Sequence, residues 1–239
     1  TDAMGSALLR FGYQGACISR AALMAANAEM DWPVAVGLRP AEFIGGGLPV
    51  IPRFGLSMHS QASMVIAAFL GQPVILVGHH DDLAGGYGVL GELADFINSL
   101  GPVRWMDLTA IARSNHRLTT WGSSAWLDLY SRSVEFMIPP DVGTLLVRRP
   151  WMAEDAAPEV LLVRGESGER LTLQAGCLSP SIPIRAGGRL FVESVALNAS
   201  DPKSVPAPPL RAWPLARRLL AETRDRLSPA SRYIAAARR

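Results

Sequence analysis

Pro73-Val74-Ile75-Leu76-Val77-Gly78-His79-His80-Asp81-Asp82 is the stretch whose reading decides the fold. Four apolar, mostly β-branched residues after a proline predict a short strand buried on both faces, as in a sheet covered by helices. The strand ends at a glycine, and two of the chain's four histidines and two carboxylates follow it. In α/β sheets and barrels, chemistry gathers at the carboxyl ends of such strands, where a rigid core holds the loops. Persisting strand geometry sends His79 and His80 to opposite sides, so at most one of them faces a given cleft. The alternative is a solvated loop that caps the next helix.

Outward from this strand, the elements alternate. Upstream, residues 8–15 read as a strand entering a glycine-bounded loop, and Ser19 caps a helix reaching about Met30. Asp31-Trp32-Pro33 breaks that helix, and Val34 to Leu38 is the next strand. Gly45-Gly46-Gly47 follows it without a helix start or a Lys-Ser/Thr, which favours a flexible loop over a phosphate cradle. Leu48 to Ile51 is a short strand, and residues 60–70 are helical. Downstream, Leu90, Leu93, Phe96, Ile97 and Leu100 recur on one face of a helix over 89–100, which Gly101 caps. Val103 to Met106 reads as a further strand and Asp107 to Arg113 as a helical turn. This is the strand–helix order of a parallel α/β layer or barrel.

Near Asn115 the texture changes. Short β-rich runs separated by Gly and Pro continue to Leu197: 136–138, 144–147, 160–163, 171–173 and 190–192, with a hairpin turn at Glu166-Ser167-Gly168-Glu169. They predict a small antiparallel β-sandwich-like domain over 116–200. Residues 198–209 hold four prolines and form a linker. From Leu210 an arginine-rich amphipathic helix carries Leu215, Leu219 and Leu220 on one side, and Pro229 interrupts it. The domains expected are thus 1–115, 116–200 and 201–239.

Composition limits the function classes. The 239 residues are 49% hydrophobic and 18% charged, a folded chain rather than a disordered one. A net charge of +2 is too small to argue for nucleic acid. Residues 211–239, however, hold eight arginines against Glu222 and Asp225, a tail that could dock on an anionic polymer or membrane surface. Cys17 and Cys177 have no metal-ligand spacing and leave the compartment open. The longest apolar run, Met64 to Val77, is broken by Gly71-Gln72-Pro73, so no membrane span is expected. No signal peptide is visible, and a start at Thr1 suggests a cleaved or excised piece.

Element order and Leu76-Val77-Gly78-His79 together resemble the polysaccharide deacetylase superfamily, the chitin and chitooligosaccharide deacetylase type of distorted β/α barrel, in which a late strand ends in Leu-x-x-His. Arg10-Phe11-Gly12-Tyr13 resembles that family's Arg-x-Pro-Tyr-Gly with glycine in place of proline, and Glu42-Phe43 stands where its Asp-Trp would. The resemblance covers residues 8–112. The family's early Asp-Asp pair and His-x-x-x-His motif have no equivalent here, so it implies the C-terminal half of a barrel, partnered by an upstream half-barrel segment if one exists. It further implies a zinc-like divalent metal, which this chain alone is not expected to bind tightly, and a carbohydrate polymer or oligosaccharide as substrate.

Under that resemblance, His79 is the acid that protonates the leaving amine, because an amide nitrogen leaves poorly without a proton. Asp81 or Asp82 orients it, and Arg10 holds a base carboxylate. Tyr13, Glu42, Arg53 and His80 are the substrate-binding candidates. Ordinary surface or loop roles compete for Arg10 and Glu42, and isolated His59 and His116 read as loop or core histidines. Trp121, Trp126 and Tyr130 are read as core, against a sugar-stacking alternative. No Gly-x-Ser-x-Gly elbow exists, and no base adjoins Cys17. The function expected is a carbohydrate deacetylase-like hydrolase acting on C–N amide bonds, with a non-catalytic glycan- or protein-binding relative as the alternative.

Overall fold

The computed structural model describes residues 2–26, 39–195, 212–213 and 216–223. The chain divides into two compact units, Thr1–Asp201 and Pro202–Arg239. In the second unit, residues 212–213 and 216–223 are helical. The expected strand at 34–38, the proline linker and most of the basic tail fall outside the described residues.

The first unit opens with a helix rather than a strand. Helix α1 (Asp2–Arg10) is built from good helix formers and buries Leu9 against Ile44, Leu48 and Val50. Gly12 stops it at φ 76°. There the Gly12 N–H donates to the Leu9 carbonyl (3.0 Å) and the Tyr13 N–H to the Leu8 carbonyl (3.0 Å), the crossed bonds of a Schellman stop. A short apolar run such as Leu8-Leu9 cannot be divided between helix and strand by periodicity, which is why the sequence reading fails there.

Strand β1 (Ala16–Ile18) leads to helix α2 (Arg20–Ala26 as described), whose first turn is capped by Ser19 Oγ accepting from the Ala22 N–H at 3.3 Å. Strands β2 (Glu42–Ile44) and β3 (Leu48–Gly55) form an antiparallel hairpin around the three glycines. All three hold positive φ, so the segment expected to be a flexible loop is a defined turn. β3 is the spine of this sheet. Its first half pairs in parallel with β1, and its last residues pair in parallel with β4 (Ile75–Val77).

Helix α3 (Gln61–Phe69) makes the crossover from β3 to β4, and helix α4 (Gly88–Ser99) follows, burying Leu93 and Ile97 against Met64. The alternation then stops. Val103 to Met106 forms no strand, and Trp105 instead donates its indole N–H to Asn98 Oδ1 at 2.9 Å. Helix α5 (Leu108–Ser114) is capped by Asp107, whose carboxylate accepts from the Ala110 N–H at 2.8 Å. Among the described residues this sheet is four-stranded and mixed, with one antiparallel member, and closes no barrel; what they form is an α/β layer.

The β-rich part is sandwich-like. β5 (His116–Trp121), β6 (Ser124–Leu129), β8 (Thr144–Arg148) and β11 (Ile182–Pro183) form one sheet, in the order β11-β8-β6-β5. β7 (Ser133–Met137), β9 (Glu159–Gly165), β10 (Arg170–Ala175) and β12 (Arg189–Val195) form the other. Leu127, Leu145, Val134, Leu161 and Val192 from both sheets share one core. β6 and β8 run parallel, so the part is mixed rather than purely antiparallel. The Glu166–Glu169 turn joins β9 to β10 as the sequence predicts.

Candidate functional site

His79 leaves the carboxyl end of β4, directly after Gly78. Gly78 is kept small by its neighbour: a Cβ there would stand 2.1 Å from Leu56 Cδ1. His80–Leu83 then forms a turn of 3-10 helix. Asp82 accepts a hydrogen bond from the His79 backbone N–H at 2.7 Å, and its own N–H donates to the His79 carbonyl at 3.0 Å. His80 Nε2 lies 3.3 Å from Asp81 Oδ1, with side chains 88% and 62% exposed, a surface pair of small energetic weight. The contacts of both carboxylates therefore run to the His79 backbone and to His80. His79 itself is exposed.

His59 joins this edge. β3 ends at Gly55 opposite Val77, the Leu56 N–H donates to the Val77 carbonyl at 2.9 Å, and His59 stands three residues on. The loops carrying His59, His79 and His80 thus adjoin at the carboxyl end of one parallel strand pair. Sequence spacing alone leaves His59 isolated, and it is the β3–β4 pairing that unites the two loops.

The remaining candidates lie elsewhere. Arg53 sits opposite Ile75, four residues before His79, a separation of about 13 Å along extended chain. Its Nε is buried without a partner. It stands close enough to Cys17 to act on the thiol, whose pKa burial raises more strongly than Arg53 lowers it. Glu42 is buried in β2 opposite Val50, three residues further down β3 from Arg53. Arg10 and Tyr13 belong to the helix stop described above, and Tyr13 is exposed. The expected site residues are therefore spread over a histidine edge, Arg53 in the β4-paired end of β3, Glu42 on β2 and the stop of α1. Among the described residues no group of three or more His, Cys, Asp or Glu side chains is placed to hold a metal ion. No helix among the described residues is long and apolar enough to cross a membrane.

His116 packs its ring 5.1 Å from Phe136, and burial lowers its pKa more than a backbone hydrogen bond with Ser114 raises it, which fits a core histidine. Cavities of about 390, 430 and 380 Å³ open along the sandwich. The first two lie at the β9–β10 turn and the third between α5 and β7, and none is lined by a residue of the histidine edge.

A second polar cluster escaped the sequence reading. Asp128 on β6 is buried between Arg117 and Arg148. Arg148 Nε donates to Oδ1 at 2.6 Å and Nη2 to Oδ2 at 2.8 Å, and Arg117 Nε donates to Oδ2 at 2.9 Å. Burial pushes the Asp128 carboxyl upward, but the hydrogen bonds from Arg148 and Arg117 outweigh it and hold the pKa below the ordinary 3.8. A depressed folded-state value contributes stability that is present above the unfolded pKa and lost as pH falls through the folded one. The acid limb of the melting temperature, below about pH 4, should therefore flatten in Asp128→Asn. An unchanged acid limb in that variant would show that the triad adds nothing to the fold.

Comparison with known proteins finds no matching family model, curated protein or solved structure.

Proposed function

We propose that the chain acts as a carbohydrate deacetylase-like hydrolase on N-acetylated sugars, with His79 protonating the leaving amine. The observation that carries this reading is the β3–α3–β4 unit, which delivers Leu76-Val77-Gly78-His79 to the carboxyl end of a parallel strand pair. Loops at that position project from a buried core and can hold a reacting group in place. Imidazole is the side chain suited to donating a proton to an amide nitrogen near neutral pH. The step assigned to His79 passes through no metal.

The test is acetate release from chitooligosaccharides, using the chain joined to whatever its gene encodes before Thr1. His79→Ala is expected to lower the rate by about a hundredfold or more. Equal release from the variant ends the assignment. A non-catalytic, glycan- or protein-binding relative is the second reading. It is favoured by the open position of His79 and by an Asp82 carboxylate already engaged by the backbone. Binding of chitooligosaccharide by the wild-type protein with no acetate released selects it.

A further inference from the structure

The outer side of the β11–β8–β6–β5 sheet carries an ordered set of side chains that the hydrolase reading leaves unused. Strand register puts them in rows two residues, or about 7 Å, apart. The first row is Arg148, Asp128 and Arg117. The second is Leu146, Trp126 and Thr119, and the third is Thr144, Ser124 and Trp121. The alternate residues Leu118, Ala125, Leu127, Leu145 and Val147 turn into the core, so these rows face outward. Trp121 is 85% exposed and Trp126 39%, and the two indoles stand on neighbouring strands one row apart. Only Tyr130, of the three aromatics read as core, is buried.

Indole is costly to leave in water, and two on one sheet face need a reason. The row beside them supplies a second observation. Arg117 and Arg148 each spend Nε and one Nη on Asp128, which leaves three of the five N–H groups on each guanidinium. Their side chains are 58% and 44% exposed, and Asp128 cross-braces both. The row carries one surplus positive charge. The face thus offers flat apolar rings next to a fixed array of donors with a preference for anions.

We infer that this face binds an acidic oligosaccharide. The C–H faces of pyranose rings stack on Trp126 and Trp121, and sugar carboxylates accept from the N–H groups that Asp128 leaves over on Arg117 and Arg148. A protein partner fits less well, because charges are depleted at the centres of protein interfaces and here a charged row crosses three strands. A nucleic acid asks for many surplus cations, and the row has one. The inference shares with the hydrolase reading only the assumption that the ligand is a saccharide.

The test is calorimetric titration of the full chain with oligogalacturonate, with neutral cellooligosaccharide and with polyglutamate as an acidic non-sugar. Oligogalacturonate is expected to bind more tightly than either. Trp121→Ala should weaken it about tenfold, and because that ring lies in solvent the variant keeps its fold. Arg117→Gln should weaken it and reduce its salt sensitivity. His79→Ala should leave it unchanged, so loss of the hydrolase assignment and loss of this one are separately visible. No binding at millimolar oligogalacturonate, equal binding of polyglutamate, or indifference to Trp121→Ala would each overturn the inference.

Discussion

Arg132→Ala is expected to destabilise the first unit by about 3–5 kcal/mol, the range for removing one partner of a buried ion pair. Arg132 is 3% exposed and lies between β6 and β7. Its Nη1 donates to Glu159 Oε2 at 2.6 Å, its Nη2 to the Gly46 carbonyl at 3.0 Å and its Nε to the Gly47 carbonyl at 3.2 Å. The guanidinium also lies 4.8 Å over the Trp151 ring. One side chain therefore ties the β2–β3 turn to β9 and to the loop after β8. Alanine leaves Glu159 with Ser194 Oγ at 2.9 Å and with Arg149, 4.0 Å away. Arg149 is held at that distance, because its Nε and Nη2 donate to the carbonyls of Gly176 and Ala175 and its Nη1 to Ser194 Oγ at 3.1 Å. Arg132→Lys keeps the charge but loses the fork, and should recover less than half of the loss. Urea unfolding of the three proteins reads this directly. A change below about 1 kcal/mol for Arg132→Ala would mean that the cluster contributes little net stability.

Local pattern carried the elements whose cause is local. The helix now bounded as Gly88–Ser99 shows Leu93 and Ile97 at the spacing its buried face requires, and the strands from Thr144 to Val195 follow their Gly and Pro punctuation. Pairing was less legible. Nothing near Ser124 or Thr144 announces that β6 and β8 run parallel, since that depends on what lies between them. The same limit hid the buried arginines: arginine usually belongs on the surface, and Arg132 finds its carbonyl partners 85 and 86 residues away.

The aromatic face was different, because its signal was present. Arg117-x-Thr119-x-Trp121 and Ser124-x-Trp126-x-Asp128 alternate with Leu118, Ala125 and Leu127, which places both tryptophans on the polar side of their strands. Residue type alone favours a core for aromatics, and here the alternation is the stronger guide. Of the candidate catalytic group, the position of His79 after a short strand was readable, although only Ile75 of that strand is buried. Its separation from Arg53 and Glu42 was not, because it depends on the register of β3 with β4 and β2.

Gly47→Ala should be nearly as damaging as the arginine change, at about 3–5 kcal/mol, for two separable reasons. Gly47 holds φ at +112°, a conformation that L side chains rarely adopt, and its Cβ would stand 2.4 Å from Trp151 Cδ1. The indole has little room to retreat, with the Phe43 ring at 5.1 Å and the Arg132 guanidinium at 4.8 Å. Gly46→Ala separates the two causes. Its φ is also positive at +78°, but nothing lies within 4 Å of the added carbon, so only backbone strain of about 1–2 kcal/mol remains. The excess of Gly47→Ala over Gly46→Ala therefore holds the clash with Trp151 and the added strain of φ +112° over +78°. The clash part should vanish in a Trp151→Ala background, since residues in contact are not additive. Equal costs for the two alanines in the parent chain would place Trp151 away from the turn.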